Sequence, residues 1–145
     1  MLKPLFIMVA SFCGVYGFSF LFNSKRKMAV TAGIIGMLAN TLRLELTEYT
    51  DIPISAAAFI GALFAGLLAS AIKAKIGYPR ITLTVPSIVI MVPGMFLYKG
   101  IYYLGLNDIT SGSIWLTKAL LIISALPLGL ITARIITDRN FRKSS

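Results

Sequence analysis

Two groups of residues in this sequence could bind a small anionic molecule. The first is a stripe of small and polar residues at intervals of three, four and three: Gly33, Gly36, Asn40 and Arg43. Residues at these intervals share one face of an α-helix, and an arginine offers a planar fork of donors that suits a carboxylate. An ionisable side chain in an apolar segment usually faces a pathway or a partner. Alternatively, this arginine reaches the membrane interface or pairs with Glu45 or Glu48.

The second group lies in the uncharged run 81–98, which contains Pro86, Ser87, Pro93 and Gly94. Proline lacks a backbone donor and clashes with the carbonyl four residues earlier, so we expect free carbonyls near residues 82 and 89. Freed backbone groups in hydrocarbon need partners, and broken helices of this kind form substrate sites in transporters. We predict a helix broken at Pro93-Gly94 whose second half could bind an anion at its N-terminal end. A kinked packing helix is the alternative, since membrane helices tolerate proline.

Tyrosines follow the broken segment. Tyr98 could act as a gate, although tyrosines at a span's end also form the aromatic belt of a membrane interface. Lys118, near the start of the last apolar run, is interpreted as an interfacial lysine. The candidate substrate-binding residues are Asn40, Arg43, Pro86, Ser87, Pro93, Gly94 and Tyr98.

Composition excludes several classes of protein. Hydrophobic residues make up 57% of the 145-residue chain, too many for an ordinary soluble domain. There is no histidine and a single cysteine, Cys13, which excludes a His/Cys metal site. The sequence shows no nucleophile–base pair, so we expect neither an enzyme nor a cofactor. The net charge of +9 could suggest nucleic acid, but the basic residues sit in short loops, as topology signals do. The expected surroundings are therefore a lipid bilayer and not nucleic acid.

The apolar runs predict an all-α membrane protein with about five transmembrane helices. Each run is close to the roughly 20 residues that a bilayer requires. We place all 145 residues in a single transmembrane domain. The predicted spans are about 5–22, 28–46, 52–72, 81–104 and 113–134.

The loops predict an orientation. Ten basic residues fall on one side of the predicted spans and four on the other. Because cytoplasmic loops are enriched in Lys and Arg, this places the N-terminus outside and the C-terminus in the cytoplasm. The ten are Lys25, Arg26, Lys27, Lys73, Lys75, Arg80, Arg134, Arg139, Arg142 and Lys143.

Small residues recur every four positions in the third span. Small side chains let helix backbones approach closely, which drives packing where lipid provides no hydrophobic force. We interpret this face as a tight helix–helix contact, with a substrate-lining role as the alternative. One column is Ala57, Gly61, Ala65 and Ala69, and its neighbour is Ala58, Ala62, Gly66 and Ser70.

Four pieces of the sequence together resemble the threonine/serine exporter family, and specifically the small C-terminal-type subunit of its split two-component, succinate-exporter-like systems. They are GMLANTLR (36–43), SAAAFIGALFAGLLA (55–69), KAKIGYPR (73–80) and VPSIVIMVPGMFLYKGIYYL (85–104). The last piece, with its proline, proline-glycine and tyrosine pattern, is the most specific. The resemblance implies a multi-pass protein of the bacterial inner membrane. It also implies a partner, a larger membrane subunit with its own spans and a cytoplasmic region.

We therefore expect a subunit of a secondary transporter that exports small carboxylate metabolites. The substrates would be threonine/serine-like amino acids or succinate-like dicarboxylates. Glu45 is the nearest candidate for an ion-coupling group in this chain. Two alternatives belong to other classes. One is a non-transporting scaffold or assembly subunit, and the other is a channel formed by a homo-oligomer of this chain.

Overall fold

The computed structural model describes residues 2–138, and over this range the chain is entirely helical and contains no strand. Four helices are long and apolar enough to span a membrane, and there are five such spans if α4 (Arg80–Val89) and α5 (Gly94–Gly105), which are bent by 43° at a short break, count as one. The predicted all-α membrane fold, with its fourth span broken at Pro93-Gly94, is confirmed. The helices are α1 Leu2–Leu21, α2 Arg26–Tyr49, α3 Ile54–Ile76, α4 Arg80–Val89, α5 Gly94–Gly105 and α6 Ile109–Thr137.

Short connections join these helices, and α4 and α5 continue in a similar direction across their bend of 43°. The end of α3 is set by Gly77, whose φ of 78° is the left-handed conformation that favours glycine. The start of α6 is set by Asp108, whose carboxylate accepts a hydrogen bond from the Ser111 amide at 3.1 Å. Hydrogen bonding to Ser111 also lowers the pKa of the Asp108 carboxyl.

The helix α3 lies in the middle of the bundle, between α2 and α6. It packs against both, while α1 packs on α2, α4 packs on α2 and α3, and α5 packs on α6. Both columns of small residues along α3 are buried. A Cβ added to Gly66 would lie 2.6 Å from Ala133 Cβ, and one added to Gly129 would lie 2.5 Å from the Phe59 carbonyl oxygen. The backbones of α3 and α6 are thus in direct contact.

The broken segment changes partners at its bend. Its first half, α4, lies against α2 and α3, whereas its second half, α5, lies against α6. Outside these contacts the helices present large apolar side chains, such as Phe6, Leu21 and Ile81, each about three-quarters exposed. Such surfaces suit lipid or another membrane subunit.

The orientation stays a prediction, because no membrane accompanies the structure. Three of the basic residues on which it rests, Arg139, Arg142 and Lys143, lie outside the described residues.

Candidate functional site

The break between α4 and α5 is a short turn over residues 90–93. The Met91 amide donates to the Ile88 carbonyl at 2.9 Å, and the Val92 amide donates to the Val89 carbonyl at 3.1 Å. The expectation of a free carbonyl near residue 89 is therefore wrong. The chain tightens into three-residue turns at the end of α4, which pairs the carbonyl that Pro93 leaves without a helical donor.

The carbonyl of Met91, within the turn, is paired by a side chain from another helix. Arg43 of α2 donates from Nη1 to the Met91 oxygen at 2.8 Å. A cation at the carbonyl end of a half-helix also opposes the partial negative charge there. The Arg43 Nε is buried and has no hydrogen-bond partner among residues 2–138. The guanidinium is therefore hydrogen-bonded to the break through Nη1, and its Nε donor is unused.

Asn40 lies one turn before Arg43 on the same face of α2. Its Nδ2 donates to Ser11 Oγ of α1 at 2.9 Å, and both side chains are buried. Its Oδ1 is buried without a hydrogen-bond partner in the described part of the chain. Ser11 was missed by the sequence analysis. A usable signal existed, because the buried positions Ser11, Val15 and Ser19 recur every four residues among aromatic side chains.

Ser87 joins α4 to α2. Its Oγ lies 2.5 Å from the Leu83 carbonyl oxygen and 3.0 Å from the Ala32 carbonyl oxygen of α2, so its single proton is shared between the two. Both Ser87 and Pro86 are fully buried. A Cβ on Gly36 would lie 3.2 Å from Ser87 Cα, so this glycine permits the close approach of the two helices.

The remaining candidates lie at the start of α5. Pro93 is buried, and its carbonyl accepts hydrogen bonds from the Phe96 and Leu97 amides at 3.1 Å each. Gly94 is exposed, and an added Cβ would meet nothing within 4 Å. Tyr98 is 65% exposed and stacks on Tyr102. The structure thus brings Asn40, Arg43, Pro86, Ser87 and Pro93 to the interior side of the broken segment, and it places Gly94 and Tyr98 on the outside.

Gly61 connects this site to α3. A Cβ added there would lie 3.1 Å from the Ala39 carbonyl oxygen and 3.2 Å from Arg43 Cβ. The column of small residues that begins at Ala57 and includes Ala65 is therefore what lets α3 approach α2 at the height of Arg43. Chemically, the site offers the Arg43 cation, whose Nε donor is unused, and the Asn40 Oδ1 acceptor, which is also unused within the described residues. No group of three metal-ligating side chains occurs within residues 2–138.

Two cavities open on either side of the bend. The Arg80 cavity, of about 450 Å³, lies between α3, α4 and α6, and its polar lining residues are Ser70, Lys73, Arg80, Thr84, Arg134 and Asp138. The Trp115 cavity, of about 510 Å³, lies between the start of α3, α5 and α6. There the ammonium groups of Lys99 and Lys118 lie 4.5 Å and 5.1 Å from the centre of the Trp115 ring. From the sequence alone, these basic residues were interpreted as signals of membrane topology and, for Lys118, as an interfacial lysine.

Comparison with known families gives one match. The family model described as Threonine/Serine exporter, ThrE, matches residues 7–136 of the chain. That range reaches from the second turn of α1 to the last turn of α6, and it includes the break, the Trp115 cavity and the lining of the Arg80 cavity except Asp138. Searches of the curated proteins and of the solved structures gave no match.

Proposed function

This chain belongs to the threonine/serine exporter family, and we propose that it is one subunit of a secondary transporter that exports small carboxylate metabolites. Family membership and four to five apolar helices make it a multi-pass membrane protein of transporter type. We place it in the inner membrane of a bacterium. Its substrates would be threonine/serine-like amino acids or succinate-like dicarboxylates.

The observation that carries the proposal is the contact between Arg43 and the broken segment. A guanidinium has five N–H donors, and Met91 occupies one of them at 2.8 Å. The unused Nε, together with a neighbouring Nη, would donate to a carboxylate in the bidentate manner that arginine favours. Since the same side chain holds the break in place, carboxylate binding at Arg43 would alter the hydrogen bond at the bend. This couples occupancy of the site to the shape of the fourth span.

The proposed transporter also includes a partner subunit. In each of the four unbroken candidate spans, only 17–44% of the most apolar 18-residue stretch is buried inside this chain, which leaves most of its surface for lipid or another subunit. We propose a larger membrane subunit of the same family, with its own spans and a cytoplasmic region. If that subunit also has five spans but begins in the cytoplasm, the two would form inverted repeats, a common transporter plan. A homo-oligomer is the alternative assembly.

Efflux of labelled solutes tests the transport function. Vesicles preloaded with succinate or threonine are compared with and without the partner, using wild-type protein and Arg43→Gln. Loss of one charge-assisted contact weakens binding by about 1.5–3 kcal/mol, so we expect export to fall about tenfold or more at solute concentrations below saturation. The matched control is Arg26→Gln, because Arg26 lies on the same helix but is exposed at its start.

Two results would count against this proposal. Wild-type efflux from the Arg43→Gln variant would remove the site from this subunit. Rapid flux through this chain without its partner, far above carrier rates, would instead indicate a channel.

The scaffold function has one observation in its favour. Asn40, Arg43 and Ser87 each make a hydrogen bond to another helix, which is what a purely structural set of polar residues would do. Arg43→Lys separates the two functions, because lysine keeps the cation but loses the fork. A transporter subunit should assemble with its partner and export poorly, whereas a scaffold should support full export whenever it assembles.

The proposed orientation is tested with reporter fusions after Ser145. A reporter that works only in the cytoplasm should be active there, because ten of the fourteen basic residues fall on that side of the predicted spans. An active periplasmic phosphatase at the same position would reverse the assignment.

A further inference from the structure

We propose that the Arg80 cavity is a second carboxylate site and that Asp138 occupies it as an internal competitor. The inference rests on the proposed function for the identity of the solute. The cavity is separate from the Arg43 site, because it lies on the α6 side of the broken segment. Its volume of about 450 Å³ is within the range of small-molecule sites.

The cavity follows from the change of partners at the bend. Because α4 packs on α2 and α3 while α5 packs on α6, the first half of the broken segment diverges from α6. The space that remains is lined by the last turns of α3, the first turns of α4 and the end of α6. A straight span packed along α6 over its whole length would fill it.

Arg80 is the residue best placed to hold a carboxylate there. Its side chain is only 19% exposed, and its Nη1 lies 3.4 Å from Asp138 Oδ2. Charge-assisted hydrogen bonds between such groups are usually about 2.7–2.9 Å long, so this pair is loose. The Arg80 Nε is buried and has no hydrogen-bond partner among residues 2–138. The fork is therefore only partly used by Asp138.

The charges around the cavity favour a second anion. Its charged lining residues are Lys73, Arg80, Arg134 and Asp138, three cations against one carboxylate. Lys73 and Arg134 are exposed, whereas the Arg80 side chain is only 19% exposed, and a desolvated cation favours a paired anion more strongly than an exposed one does. A solute carboxylate that bound Arg80 would either share the fork with Asp138 or displace it. Displacement costs little, because an ion pair that is partly exposed and as long as 3.4 Å contributes little to stability.

This arrangement predicts effects of opposite sign for the two partners of one ion pair. Removing the charge of Arg80 removes the carboxylate donor, so Arg80→Gln should weaken succinate binding about tenfold or more. Removing the charge of Asp138 removes the competitor, so Asp138→Asn should tighten succinate binding about two- to fivefold. If the pair only holds α4 to α6, both substitutions should act in the same direction.

The experiment is titration calorimetry of succinate, and separately of threonine, with the purified full chain in neutral-lipid nanodiscs. Arg80→Lys keeps a cation without the fork and should bind weakly while melting like wild type. Lys75→Gln is the charge-matched control, since Lys75 is exposed in the last turn of α3 and does not line the cavity. We expect it to bind like wild type.

Three results would overturn the inference. They are an absence of binding to wild type, weaker binding by Asp138→Asn, and succinate binding that an anionic lipid abolishes in all variants alike. The last would identify the cavity as a lipid headgroup site. Failure here is distinguishable from failure of the exporter function, because the efflux comparison of Arg43→Gln with wild type leaves Arg80 unchanged in both proteins. Conversely, Arg80→Gln could weaken and Asp138→Asn tighten succinate binding while the wild-type protein shows no efflux. That result would support the carboxylate site and contradict the exporter function.

Discussion

The broken segment and α3 contact their neighbours in different ways. The broken segment is held to α2 by polar bonds, among them Arg43 to the Met91 carbonyl and Ser87 to the Ala32 carbonyl. Between α3 and α6, Gly66 and Gly129 bring the backbones into direct contact. The first contact depends on donors that a ligand could take over, and the second depends on shape alone.

This difference indicates which part of the bundle can rearrange. A hydrogen bond to a side chain can be exchanged for one to a solute carboxylate at little net cost, since most hydrogen bonds contribute only about 1 kcal/mol to stability. A close backbone contact has no such substitute, because opening it leaves apolar surfaces without packing partners. We therefore expect α3 and α6 to move as one unit while the broken segment moves against α2.

The largest effect should come from disrupting the α3–α6 contact. Gly129→Leu or Gly66→Leu places a bulky side chain against Phe59 or Ala133. Overpacking of this kind costs typically about 1–3 kcal/mol, and the backbone oxygen facing Gly129 cannot rotate away. Thermal unfolding in detergent should show a clear loss of stability in both variants.

Gly17→Ala in α1 is the control for this experiment, because an added Cβ there meets nothing within 4 Å. Gly61→Leu, at the α2 face of the same helix, should also destabilise the fold, since the backbone of Ala39 lies close by. Unchanged melting of the Gly66 and Gly129 variants would show that this face is not the rigid contact of the bundle.

Local features of this architecture were predictable from the sequence. The spans, the break and the two small-residue columns depend on spacing within one segment, which hydropathy and helical period reveal. Membership of the threonine/serine exporter family was likewise predicted and is confirmed by the family model over residues 7–136. The free carbonyl near residue 89 was a local prediction that failed, because a tight turn supplied the donor from Val92.

Partnerships across the bundle were not predictable in the same way. Ser11 and Asn40 are 29 residues apart, and Arg43 and Met91 are 48 residues apart. Which side chains meet depends on the rotation of each helix and on the bend of 43° in the broken segment. No period within a single segment encodes either quantity. The Arg80 cavity was missed for the same reason, since it exists only where α4 diverges from α6.

The second prediction concerns the bend itself. Pro93→Ala restores a backbone donor and removes the steric block, so α4 and α5 can approach a continuous helix. The Met91 carbonyl would then accept a helical hydrogen bond and release Arg43. We expect efflux to fall severalfold while the protein inserts and melts normally, because the new helical bond replaces the lost one.

Gly94→Ala is the neighbouring control. Gly94 is exposed, has open space at its Cβ and does not have a positive φ, so alanine should be accommodated without loss of transport. The double variant should therefore behave like Pro93→Ala alone. Equal losses from the two single variants would show that the residue pair acts through something other than the helix break.

The smallest predicted effect is a difference in stability between alanine variants of two buried serines of α1. Ser11 Oγ accepts the hydrogen bond from Asn40 Nδ2 of α2 at 2.9 Å, whereas Ser19 Oγ donates to the Val15 carbonyl of its own helix at 2.8 Å. Ser11→Ala leaves the buried amide donor of Asn40 unpaired, which costs about 1–3 kcal/mol in water-soluble proteins and about 0.6 kcal/mol on average in a membrane bundle. Ser19→Ala leaves the Val15 carbonyl, which already has its helical donor, so the stability of this variant should hardly change.

A double-mutant cycle of Ser11→Ala with Asn40→Ala, read by thermal unfolding, should give a coupling energy of about 0.6 kcal/mol. Zero coupling would mean that α1 is held to α2 by packing, as α3 is held to α6, and the contrast between polar and steric contacts would be confined to the broken segment.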